Sequence, residues 1–208
     1  MEKSFRSRMA LLLNIILAAL EVTGLYMSLR TSQNCILLFY TQDSNILALM
    51  ACLPLILTWL IGVKPPKWAQ RLKYTSVCCV TVTFLVVLFV LVPMEGEGAV
   101  QTMFLDGPML YMHLLCPLLA FASYVCFEDT PALRRGDIAR AIIPTVVYAL
   151  VMIVLNVLRV VDGPYPFLRV YEQPLIVSLG WSLIIIGGAG LVALIVYALH
   201  HGVSRRHA

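Results

Sequence analysis

Six long apolar runs leave this chain few folds to choose from. Met9–Leu29, Cys35–Gly62, Tyr74–Pro93, Gly107–Phe127, Ile138–Leu158 and Leu175–Leu199 each reach the length of a membrane-spanning helix, which needs about 20 mostly apolar residues. Only 12% of the 208 residues are charged and 61% are hydrophobic, against the roughly 25% charged of soluble domains. The connectors are short, so no soluble domain of ordinary size fits between the runs. The expected fold class is an all-α integral membrane protein, a single domain over residues 1–208 with six transmembrane helices. The first run is too long for a removable signal peptide and lacks a small-residue cleavage pattern, so it reads as a signal anchor.

Charge follows topology. Lys3, Arg6 and Arg8 precede the first run, Lys64, Lys67, Arg71 and Lys73 follow the second, and Arg134, Arg135 and Arg140 follow the fourth. Arg205 and Arg206 close the chain, and the other side holds only Arg30, Arg159 and Arg169. The positive-inside rule then places both termini in the cytoplasm. Basic residues dispersed in this way give a net charge of +4 but no single patch for nucleic acid. Cys35, Cys52, Cys78, Cys79, Cys116 and Cys126 show no zinc-like spacing, and read as small apolar fillers.

Polar residues inside the runs carry the functional information, because an ionisable group at the bilayer centre costs roughly 2.5–3.5 kcal/mol on insertion scales. They are Glu21, the segment Thr41-Gln42-Asp43-Ser44-Asn45, and His113. With a rise of about 1.5 Å per residue, Glu21, Thr41 and His113 each lie about 10 Å below the outer edge of the bilayer. A hydroxyl becomes a useful nucleophile when a neighbouring base takes its proton, and imidazole does this near neutral pH. Thr41 and His113 are therefore the candidate nucleophile and base. Glu21 or Asn45 is the candidate orienting group, with Ser44, Asn45 or a backbone N–H as oxyanion donor. Asp43, two residues from Thr41, falls about 200° around a regular helix from it. Structural alternatives stand beside each reading: threonine bonding its own helix, histidine in a polar network, Glu21 as a paired charge between helices.

Outside the runs, Lys64-Pro65-Pro66-Lys67-Trp68 makes a stiff turn. Val161–Pro174 is a longer segment whose Tyr165, Phe167 and Tyr171 suit an interfacial belt or a lid over a site. Pro117 and Pro144 are expected to kink helices four and five. Gly180, Gly187, Gly188 and Gly190 favour close helix packing but assign no oligomeric state. Tyr148, Asn156 and Arg159 share a face of helix five that suits a lipid headgroup.

The Phe39–Asn45 segment, His113-Leu114-Leu115-Cys116-Pro117 and Tyr165-Pro166-Phe167 together resemble the androgen-induced-protein family. Its compact bacterial members carry a Thr-x-x-Ser-Asn segment, a histidine followed by proline, and Tyr-Pro-Phe before the last helix. The resemblance implies a six-pass intramembrane threonine hydrolase cleaving fatty acid esters of hydroxy fatty acids. It implies Thr41 as nucleophile and His113 as its partner. The short loops fit a bacterial plasma (inner) membrane. The resulting expectation is a metal-independent lipid ester hydrolase or acyl transferase without cofactor. Its partner is a membrane lipid or fatty-acyl ester, with Glu21, Asp43, Ser44, Asn45, Asn156 and Tyr165 supporting catalysis or binding substrate. The expected polar cavity lies between helices one, two and four, with five and six completing its wall. The competing expectation is a small proton-coupled transporter or an amphipathic-ligand sensor, in which Glu21, Asp43 and His113 form a proton relay. A third is a partner subunit whose polar residues only hold helices together.

Overall fold

The computed structural model describes residues 4–31, 36–131 and 133–206; Lys3 and Cys35 lie outside them. Helices dominate: α1 (Phe5–Thr31), α2 (Tyr40–Leu60), α3 (Lys67–Glu95), α4 (Leu110–Cys126), α5 (Gly136–Val157) and α6 (Leu175–Arg206). Among the described residues, five of these are long and apolar enough to cross a membrane, and α4 is shorter. Large aliphatic side chains face outward along them, among them Leu175, Ile176 and Leu183 at about three-quarters exposure. Inside sit Asn14, Glu21, Asn45, Lys73, His113 and Asp137. Apolar outside and selectively polar within is the arrangement of a helical membrane protein, where hydrocarbon cannot satisfy a polar group.

The boundaries differ from those of the apolar runs in two ways that matter. α2 begins at Tyr40, because Phe39 is extended (φ −108°, ψ 130°) after a short 3₁₀ turn at Ile36–Leu38. Thr41 thus lies in the first turn of a helix rather than well inside one, as a helix over the whole run from Cys35 would place it. α3 begins at Lys67, directly after extended Pro66, so Lys73 belongs to a helix and not to a connector. It is completely buried. Its ammonium donates to Asn14 Oδ1 at 2.8 Å and lies 3.4 Å from Glu128 Oε1. A hydropathy run stops at the first charges and does not register a charge whose partner lies 55 residues away in sequence.

Among the described residues, three π-helical turns interrupt the regular ladder: Val87–Leu91 within α3, Gln101–Leu105 before α4, and Leu110–Leu115 opening α4. The last has a sequence cause. Pro117 has no N–H to offer the carbonyl four residues earlier, that of His113, and so weakens the α-helical register there. π turns often lie at functional sites because they free backbone groups and re-aim side chains. α1 packs tightly on this turn: a Cβ at Gly24 would lie 2.8 Å from Tyr111 Cβ and 3.0 Å from Met112 Cγ.

The termini of the bundle meet at one end. Arg6 donates to the Glu128 carbonyl. Cys52, Cys78, Cys79 and Cys116 are buried free thiols, as expected of fillers, whereas Cys126 is exposed.

Candidate functional site

Thr41 and His113, 72 residues apart in sequence, meet at the opposite end. Thr41 Oγ1 lies 3.1 Å from His113 Nε2, and both residues are buried. His113 Nδ1 lies 2.7 Å from the Met103 carbonyl, in the π turn that precedes α4. A carbonyl only accepts, so in the neutral imidazole the proton sits on Nδ1 and donates there. Nε2 then presents its lone pair to the threonine, and the Thr41 hydroxyl donates to it. Phe104 packs edge-on against the ring, with centroids 6.5 Å apart.

The orienting group is thus a backbone carbonyl and not Glu21 or Asn45. Asn45 has a different task. Its Nδ2 donates to the Thr41 carbonyl at 2.7 Å and to the Met112 carbonyl at 3.2 Å. One amide therefore ties the turn of Thr41 to the turn carrying His113. Ser44 donates to the Thr41 carbonyl at 3.0 Å and shares a 2.8 Å hydrogen bond with Thr83. With these protons committed, neither Asn45 nor Ser44 serves as oxyanion donor. Asn45→Ala should lower the rate of covalent labelling at Thr41 about 100-fold, since a displacement of about 1 Å at reacting groups costs that much. A kinetic trace of covalent labelling checks it, and an unchanged rate would reduce Asn45 to packing.

The start of α2 adds an electrostatic element. No side chain caps it. The Gln42 and Asp43 N–H groups return to the Phe39 carbonyl, while the Thr41 N–H donates to the Tyr165 hydroxyl at 3.4 Å. The positive end of a helix dipole therefore bears on the Thr41 oxygen.

Thr41 also lines a cavity with about 620 Å³ of space between atoms, part of it open to the surroundings. Its walls come from α2, α3, α5, α6 and the segment after α5, with Val82, Thr83, Val87, Tyr148, Trp181 and Ile185 prominent. The expected polar cavity among helices one, two and four is corrected on two counts. The space is apolar, and it lies on the other side of Thr41, where α3 is a major wall. Hydropathy scanning could not register α3 as a wall, because lining residues such as Val86 and Val87 look like any lipid-facing valine.

The remaining sequence candidates scatter. Glu21 is fully buried with both carboxyl oxygens unpartnered; it lies beside Cys116 and within electrostatic reach of Lys73. Its neighbours are thus Cys116 and Lys73 and not His113, because equal depth along two helices does not fix which side chains face each other. Asp43 faces a separate groove between α2 and α5, with Leu47, Val147 and Val151. The hydrogen bonds of His113 go to Thr41 and Met103, and neither carboxyl is among its partners. Asn156 bonds protein backbone: its Nδ2 donates to the Val161 carbonyl and its Oδ1 accepts from Val170 N–H. That clamps the two ends of the segment carrying Tyr165. Phe167 is buried, while Tyr171 remains exposed, its ring 4.6 Å from the Arg159 guanidinium.

A second threonine–histidine pair supplies an internal comparison. Thr130 Oγ1 lies 2.7 Å from His200 Nε2, and His200 Nδ1 lies 3.1 Å from the Tyr124 carbonyl. The bonding pattern repeats that of Thr41 and His113, yet neither residue lines either cavity described above. Access, more than the hydrogen bond, sets Thr41 apart. The chain matches no family model, no curated protein and no solved structure.

Proposed function

We propose that this chain is an intramembrane lipid ester hydrolase or acyl transferase, with Thr41 as nucleophile and His113 as general base and acid. The observation carrying the reading is the 3.1 Å Thr41–His113 contact on the wall of an apolar cavity, with the imidazole tautomer set by Met103. The proposal includes six membrane passes, cytoplasmic termini and a plasma-membrane location, supported by the distribution of basic residues. It also includes kinship with the androgen-induced-protein family, supported by the three short motifs. Fatty acid esters of hydroxy fatty acids are accordingly the first substrates to try.

The steps follow from the geometry. The acyl chain lies in the apolar cavity with its ester carbonyl at Thr41. Oγ1 bonds to the carbonyl carbon as its proton passes to His113 Nε2. The tetrahedral intermediate collapses, the ester C–O bond breaks, and the departing alkoxide takes that proton from His113. Water, or the hydroxyl of an acceptor lipid, then gives its proton to His113 and attacks the acyl-threonine. Thr41 recovers its proton as the acid or the new ester leaves.

The test is labelling of the purified protein with a long-chain alkyl fluorophosphonate, the adduct being located by mass spectrometry. Modification of Thr41 that disappears in His113→Ala is the expected result. No adduct on folded protein would end the enzyme reading and leave a ligand-binding membrane protein.

A further inference from the structure

Building on the reading of Thr41 as nucleophile, we infer that Tyr165 is a further catalytic residue. Its phenol O–H and the Thr41 backbone N–H together form the oxyanion hole. Acyl transfer at an ester requires donors for the carbonyl oxygen as it becomes an oxyanion. Asn45 and Ser44 have their protons committed elsewhere, and the Gln42 and Asp43 N–H groups are tied to Phe39. Thr41 N–H remains, and the group facing it is the phenol of Tyr165, which the Tyr40 N–H also approaches.

The spacing suits insertion of a third oxygen. At 3.4 Å the Thr41 N···Tyr165 O contact is longer than the usual 2.7–3.2 Å of an N–H···O bond. An oxygen about 2.9 Å from each fits beside that gap, on the cavity side where both residues contribute to the lining. The phenol oxygen accepts from Thr41 N–H in the resting protein, and its own proton faces the Thr41 and Tyr148 hydroxyls, from which an incoming carbonyl oxygen can take it. Burial raises the pKa of the Tyr165 phenol above the ordinary value, so it keeps its proton to donate. When Thr41 Oγ1 attacks, the carbonyl π electrons move onto oxygen. Tyr165 O–H and Thr41 N–H each donate a hydrogen bond to it, and no proton is transferred. On collapse the C=O bond re-forms and both donors are released unchanged.

Tyr165 is held for this role by neighbouring rings and by the fold of its own segment. Its ring stacks on Phe167 at 5.2 Å and meets Phe39 edge-on at 6.1 Å. Phe167 in turn rests on Trp181. The segment folds back so closely that a Cβ at Gly163 would lie 2.7 Å from the Leu168 backbone, while Arg169 Nε donates to the Gly163 carbonyl at 3.1 Å. Glycine is required there by close approach of backbone to backbone.

Three proteins are compared in the rate of labelling by the long-chain fluorophosphonate, resolved into the maximal rate and the half-saturating concentration. The P–O⁻ group forming at Thr41 uses the same donors as a carboxyl ester's oxyanion. Tyr165→Phe keeps the ring and its stacking; its maximal rate should fall about 10²–10³-fold, with half-saturation and thermal unfolding unchanged. Gly163→Ala displaces the whole segment and should raise the half-saturating concentration as well. If Tyr165→Phe labels Thr41 at the wild-type maximal rate, or changes half-saturation alone, Tyr165 is only a wall of the cavity and the inference fails, while the Thr41–His113 reading stands. If the wild type itself does not label at Thr41, both fall together.

Discussion

Thr41→Ala is expected to fold as the wild type does and to lose at least about 10⁴-fold in turnover, the scale of losing a nucleophile from a hydroxyl–histidine system. The side chain is small and bonds His113 and the Tyr165 phenol, both held by other contacts, so its removal leaves the bundle's packing intact. His113→Ala should cost a similar factor, because a threonine hydroxyl without a base is unreactive. The double variant should be little worse than either single one, since two groups acting as a unit are not additive. Thr41→Ser retains the nucleophilic oxygen and should keep measurable activity. Hydrolysis of long-chain fatty-acyl esters in detergent micelles is the assay, with thermal unfolding as the folding control. Undiminished esterase activity in Thr41→Ala would falsify the mechanism.

The second large effect concerns stability at the other end of the bundle. Lys73→Met should destabilise the protein by about 3 kcal/mol or more, because removing one partner of a buried ion pair leaves the other charge uncompensated. Asn14 and Ser123 still donate to Glu128 Oε1, at 3.0 and 3.1 Å, but neutral donors do not balance a carboxylate. Lys73→Met combined with Glu128→Gln removes both charges and should recover most of the loss. Reversible unfolding in detergent measures both. Equal stability of Lys73→Met and wild type would show that the pair contributes nothing. Catalytic rate should change little in the folded fraction, since neither group touches Thr41 or His113.

Single polar residues were informative here in proportion to how few there are. In hydrocarbon a threonine and a histidine at matching depths have few reasons to be placed there, and the two do meet. Depth alone gave Glu21 the same standing, and Glu21 went elsewhere. A rise per residue predicts level along the bundle axis and says nothing of azimuth between helices. The oxyanion candidates failed for a related reason. Ser44 and Asn45 share the face of Thr41, as their spacing requires, but that placement turns their donors onto the Thr41 carbonyl.

What the sequence determined by itself was the solvent and the inventory. Runs of about 20 apolar residues can satisfy their backbone in lipid only as helices, and the residues interrupting them named the candidate pair that the fold brings together. What only the tertiary structure decided was which groups serve that pair. The extended conformation of Phe39 brought Thr41 to a helix N-terminus, and π turns freed the Met103 and Met112 carbonyls for His113 and Asn45. The folded-back segment after α5 brought Tyr165 124 residues along the chain to the Thr41 N–H. Those are contacts between backbone groups, identical in every residue, and of side chains distant in sequence. Composition and periodicity carry no record of them.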